Sequence, residues 1–169
     1  MKRTTLLTLV VLALAFPLLA SEEGPSVGRR DAVEVVTPKL VGSWVATVTP
    51  DPASGNPPFR ELLTFHSDGT MTMIDDNAPA PPFPFTPGHG VWRKNGNSNS
   101  YVFRYLNLMF DPASYASTGT TSITNSVTLS DDGNKLTASG HLKVYDIDRN
   151  LLFEADGTMT GERITFDEP

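Results

Sequence analysis

From Leu40 to the C-terminal end the chain alternates apolar and polar residues with a period of two. That period belongs to a pleated strand, whose successive side chains leave on opposite faces. No stretch holds an apolar 3.6 period long enough for a long helix. Residues 118–130 give the clearest case. Thr118, Thr120, Ser122, Thr124, Ser126, Thr128 and Ser130 line one face, while Tyr115, Thr121, Ile123, Val127 and Leu129 are among those facing the other way. The pattern predicts eight strands, at about residues 40–49, 59–66, 70–75, 89–94, 101–110, 118–130, 136–145 and 151–163. Asp156-Gly157 has turn composition, but the alternation runs through it, so it is expected inside the last strand as a glycine kink.

Most of the connections are short and polar. Ser67-Asp68-Gly69, Asn95-Gly96-Asn97-Ser98-Asn99 and Asp131-Asp132-Gly133-Asn134 each carry the residues of a tight turn. Strands joined by local hairpins form an up-and-down meander. With one apolar face per strand, the sheet must bury a single side. Rolling it closed covers that side and removes both edges, which predicts an all-β, eight-stranded antiparallel barrel. A two-sheet sandwich is the alternative; the scarcity of long crossing connections favours the barrel.

The N-terminus has a different character. Lys2 and Arg3 precede an apolar run from Leu6 to Leu19, and Ala20 stands before Ser21. Charge, apolar run and small-residue exit are the pattern of a secretory signal peptide at residues 1–20. The run is shorter than the ~20 residues of a spanning helix. Residues 21–39 mix charges with Pro25 and Pro38 without a period and are expected to be a flexible segment, leaving the barrel domain at 40–165. The expected location is therefore secreted or periplasmic. Cysteine is absent, so the domain must hold by packing alone. Cleavage after Ala20 would leave eleven Lys/Arg against nineteen Asp/Glu, a net charge of −8. An acidic chain with no basic run offers no electrostatic footing for nucleic acid. The Ser/Thr and Lys faces of the sixth and seventh strands also argue against membrane insertion as an outer-membrane barrel, which needs an apolar outer band.

Lys39-Leu40-Val41-Gly42-Ser43-Trp44 resembles the G-x-W signature that opens the first strand of lipocalins and their calycin relatives, including the shorter bacterial lipocalin-like domains. The resemblance covers about residues 38–165. It implies that Trp44 plugs the closed end of the barrel beside Gly42. It also implies that a basic residue near the end of the last strand packs across the indole, and Arg163 is the candidate. A guanidinium over an indole face is favourable in its own right. Gly90-Val91-Trp92 repeats the spacing at a second place.

The outlier among the connections is residues 75–88, with five prolines and the pair Phe83 and Phe85. A loop of this length in a small domain tends to be functional or disordered, and proline lowers the entropy cost of ordering it. Phe83 and Phe85 are expected either to lie over the barrel mouth as a semi-rigid flap or to pack on the outer wall. Within the barrel the expected ligand-contacting set is Glu61, Phe103, Tyr105, Tyr115 and Asn125, with Tyr101 and Asn107 nearby. Glu61 is equally placed to be a rim carboxylate. Which face of residues 101–110 is interior stays open, because Val102, Leu106, Leu108 and Phe110 compete with the aromatic set.

No catalytic constellation stands out. His66, His89 and His141 lie far apart, and neither Asp75-Asp76 nor the turn at Asp131 supplies enough oxygen ligands for calcium. No metal or cofactor is expected. The composition and the resemblance together suggest binding of a small hydrophobic ligand. A calycin-type cyclase or isomerase, or an interaction module with a filled core, are the alternatives.

Overall fold

The computed structural model describes residues 38–76, 84–96 and 99–166. The alternating segments become β1 (Gly42–Pro50), β2 (Phe59–Phe65), β3 (Thr70–Asp75), β4 (Gly88–Lys94), β5 (Ser100–Phe110), β6 (Ser117–Leu129), β7 (Lys135–Asp146) and β8 (Leu151–Arg163). Each strand pairs antiparallel with the next, and β8 pairs back onto β1 from Trp44↔Arg163 to Pro50↔Gly157. The result is a closed up-and-down barrel, which decides between barrel and sandwich. A single 3-10 turn, Pro52–Ser54, is the helical piece among the described residues, and no helix there is long and apolar enough to cross a membrane. Residues 1–37, which include the expected signal peptide at 1–20, residues 77–83 with Phe83, Asn97-Ser98 and residues 167–169 lie outside the described residues. Pro38 and Lys39, the last two residues of the expected N-terminal segment, form the turn into β1.

The tight turns set the register. After Ser67-Asp68-Gly69, Phe65 pairs with Met71, Leu63 with Met73 and Glu61 with Asp75, so all six side chains belong to one face. The face of β5 left open by the sequence is now assigned. Tyr101, Phe103, Tyr105, Asn107 and Met109 point inward, whereas Leu106 and Leu108 are exposed. The aromatic set wins because it can build edge-to-face contacts inside the barrel. Phe65 meets Phe103 at 5.2 Å and Trp92 at 6.4 Å between centroids, and Trp92 meets Tyr101 at 5.9 Å.

One half of the barrel is packed solid by Leu40, Trp44, Leu63, Phe65, Met71, Phe103, Leu129 and Leu136, all buried. Trp44 is the plug. Its Nε1–H donates to the Leu40 carbonyl at 3.0 Å, so the indole is buried without an orphaned donor. The Arg163 guanidinium lies 4.4 Å from the Trp44 ring centroid. It also donates to the carbonyls of Val41 (2.8 Å) and Gly133 (3.0 Å), and to that of Lys39. The second G-x-W is built on the same logic. Trp92 Nε1–H donates to the His66 carbonyl at 2.9 Å, and a Cβ on Gly90 would stand 2.0 Å from the Arg104 carbonyl oxygen, where the β5 backbone passes.

Two bulges break the alternation. Met109 pairs with Gly119 but Phe110 with Ser117, leaving Thr118 as the extra residue; Val144 pairs with Phe153 but Tyr145 with Leu151, leaving Leu152 extra. The first of these corrects the placement of Tyr115. Counting by twos back from Thr121 crosses the bulge, so the phase is lost. Tyr115 instead sits in the turn before β6, at φ 58° and 80 % exposed, its N–H bonded to the Asp111 carbonyl. Leu151, two residues before Phe153, would share its face by parity, but the second bulge intervenes and Phe153 lines the barrel cavity while Leu151 does not.

Candidate functional site

Above the packed half, the barrel holds a cavity of about 540 Å³ that opens at the end opposite Trp44. Small residues on two adjacent strands leave this space. Gly140 of β7 pairs with Gly157 of β8, and Leu142 with Ala155. A Cβ on Gly140 would stand 2.4 Å from Asn125 Oδ1, so a side chain there would displace the Asn125 amide from its present position. The walls are apolar, formed by Val48, Phe59, Met109, Ile123, Val144, Phe153 and Met159.

The polar groups gather on the side formed by β2, β3, β5 and β6. Glu61 is 2 % exposed, and its Oε1 accepts a 2.7 Å hydrogen bond from the buried Tyr105 hydroxyl. Burial, reinforced by the Asp75 carboxylate across the β2–β3 pair, pushes the Glu61 carboxyl up to about 7, against the lowering effect of the Tyr105 bond. Tyr105 is held well above the ordinary phenol value by burial first and by the Glu61 charge second. Glu61 is therefore an interior carboxyl and not a rim group. Asn125 faces the same space, 2 % exposed. Among the described residues no hydrogen-bond partner reaches Glu61 Oε2 or Asn125 Nδ2.

Asn107 has a different role. Its Nδ2–H donates to the Thr86 carbonyl at 2.8 Å, and its Oδ1 accepts from Thr121 Oγ1 at 3.1 Å. These bonds tie the end of the proline-rich connection to β5. The tie is extended by Thr86 N–H to the Leu108 carbonyl, by Phe110 N–H to the Pro84 carbonyl, and by a bridge between Phe85 and Met109. Residues 84–86 thus continue the line of β4 along β5, and half-buried Phe85 becomes part of the cavity wall.

Of the residues expected to contact a ligand, the structure brings Glu61, Phe85, Tyr105 and Asn125 together on one cavity. Phe103 is corrected: it belongs to the packed half, between Phe65 and Tyr105, and does not line the cavity. The inward face of β5 is filled by aromatics below Tyr105, which puts Phe103 one step too deep. Tyr115 is outside altogether. Gly42, Trp44 and Arg163 meet at the closed end. Asp75 was read only as a loop-base acid, yet it lines the cavity beside Glu61. The hairpin turn at 67–69 held the signal that would have found it, because pairing outward from that turn sets Asp75 opposite Glu61.

His141 is held on the barrel wall by Asp156, its Nδ1 at 2.7 Å from Oδ1, with Glu154 at 3.5 Å from Nε2. Among the described residues no group of three or more His, Cys, Asp or Glu side chains is arranged to hold a metal ion.

Comparison with protein-family models, with curated proteins and with solved structures finds no match for this chain.

Proposed function

We propose that this protein is an exported, lipocalin-like barrel that binds a small, largely apolar molecule in the cavity between Glu61 and Phe85. The observation that carries this is the division of the barrel interior. One half is packed around Trp44 and sealed by Arg163, while the other keeps about 540 Å³ lined mainly by apolar side chains. Ligand sites are concave, mostly apolar and of ~300–1,000 Å³, with a few polar groups that fix orientation. A barrel with no ligand to hold fills its interior with side chains. Here glycine and alanine stand where such filling would come from. Export is supported by the charge, apolar run and small-residue exit of residues 1–20. Membership of the lipocalin-like group is supported by Gly42, Trp44 and Arg163 meeting at one end of an eight-stranded meander.

Native mass spectrometry of protein purified from its own host tests this. A co-purifying small molecule is expected, released on denaturation. Ala155→Trp should abolish it together with the binding of a neutral apolar fluorophore, while the circular-dichroism spectrum stays that of the parent. An empty parent that also ignores the fluorophore would exclude the carrier function.

A further inference from the structure

The cavity has apolar walls, but its charge is one-sided. Glu61 and Asp75 are cross-strand neighbours on the inner face, and both line it. Among the described residues no Lys or Arg lines it. A buried carboxylate is ordinarily balanced by a cation of the protein itself. Here the one bond to Glu61 comes from a neutral phenol, Tyr105. The remaining oxygen, Oε2, is buried with no hydrogen-bond partner among the described residues, and it belongs to a side chain that lines the cavity. Resting on the carrier function proposed above, we infer that the ligand is an amphiphilic amine whose ammonium group binds Glu61 Oε2 and whose apolar body lies against Ile123, Phe153 and Phe85.

Three further features fit a cation better than a neutral head group. An ammonium supplies N–H donors for Oε2 and a charge opposite to that of Glu61, whereas a hydroxyl satisfies the oxygen without balancing that charge. The groups that face Glu61 give the cation no rival. Asp75 on β3 is acidic and Tyr105 on β5 is neutral. Ala46, paired with Glu61 on β1, and Met159 on β8 are uncharged. His141 and Asp156 are bonded to each other on the neighbouring wall. An anionic ligand such as a fatty acid would meet the Glu61 and Asp75 carboxyls and no Lys or Arg, and the imidazole at the cavity, His141, is already paired with Asp156, so the same geometry selects against it.

Octylamine, octanol and octanoate share one chain and differ only in the head group. Titration calorimetry on the full chain at about pH 8, where the Glu61 carboxyl is mostly ionised, is expected to give octylamine an affinity roughly tenfold or more above octanol. Octanoate should be the weakest. Near pH 6 the amine must displace a proton from Glu61, so its advantage should shrink and binding should release protons to the buffer. In Glu61→Gln the amine and the alcohol should bind within a few-fold of each other. Octanol binding as tightly as octylamine at about pH 8, or a Glu61→Gln variant that keeps the amine preference, would overturn the amine assignment and leave the carrier function standing. Failure of all three ligands to bind would instead remove the carrier function on which it rests.

Discussion

The Arg163 guanidinium lies 4.4 Å over the Trp44 ring and at the same time ties down the carbonyls of Val41, Gly133 and Lys39. Those three carbonyls come from two separate turns, so one side chain closes the end of the barrel on both sides of β1. The geometry leaves no room for a side chain at residue 42. A Cβ on Gly42 would stand 2.6 Å from Arg163 Nη1, and the backbone there has φ 131°.

Replacing Arg163 therefore removes a cation–π contact and several charge-assisted hydrogen bonds together. Arg163→Ala is expected to cost about 2–4 kcal/mol in urea unfolding, since each such hydrogen bond contributes roughly 1–3 kcal/mol and they are not additive. Arg163→Lys keeps the charge but not the planar fork, and should lie between parent and Ala variant. Gly42→Ala should destabilise by about 1–3 kcal/mol, through the disfavoured φ and displacement of the guanidinium. An Arg163→Ala variant as stable as the parent would show that the plug is held by Trp44 alone.

Glu61 gives the opposite sign. In the unfolded chain its carboxyl ionises near the ordinary 4.5, while in the barrel it does so only near 7. Between those values the unfolded state has lost the proton and the folded state still holds it. Stability must then fall as pH rises through this window. The full difference is about 3 kcal/mol, reached above pH 7. Glu61→Gln removes this titration. Relative to the parent, the variant should gain stability steadily from about pH 4.5 to about pH 7.5 and hold that gain above it. Parallel stability curves for the two proteins over that range would mean that Glu61 titrates in the barrel as it does in the unfolded chain.

The barrel was largely legible in the sequence because its determinants are local. Period-two alternation and tight polar turns fix strand number, order and most of the register, whereas the Gly42, Trp44 and Arg163 arrangement was implied by the motif resemblance, and pairing of β8 with β1 brings Trp44 and Arg163 together. The cavity was legible only in part. Parity offered Glu61, Tyr105 and Asn125 as interior candidates, but it left the face of β5 open and Glu61 equally at the rim, and it carries no information about depth. Phe103 shares a face with Tyr105 yet lies in the packed half, because depth depends on which opposing strands bring glycine to the same level. Parity also fails across a bulge, which is why Tyr115 changes sides between Thr121 and the start of β6. Phe85 depended on a pairing of residues 84–86 with the end of β5, a contact without a hydrophobic period of its own.

That division between wall and packed core separates three aromatic residues that composition alone treats alike. Phe85 is half-buried on the cavity wall, bridged to Met109, and the next residue, Thr86, is bonded to Asn107 and Leu108. Phe85→Ala should weaken binding of a neutral apolar fluorophore by roughly three- to tenfold, the loss of one wall contact, with a small change in stability. Phe103 is fully buried and packed on Phe65 and Tyr105, at 5.2 and 6.1 Å between centroids. Phe103→Leu should cost about 1–3 kcal/mol of stability while leaving the fluorophore affinity within about twofold in the folded protein. Tyr115, exposed on the turn before β6, should affect neither quantity by a measurable amount when changed to Asn, a residue that tolerates its positive φ. Paired urea unfolding and fluorescence titration on the three variants distinguish the roles. If Phe103→Leu lost affinity as Phe85→Ala did, the cavity floor would have to lie deeper than Tyr105, inside the half that Trp44 closes.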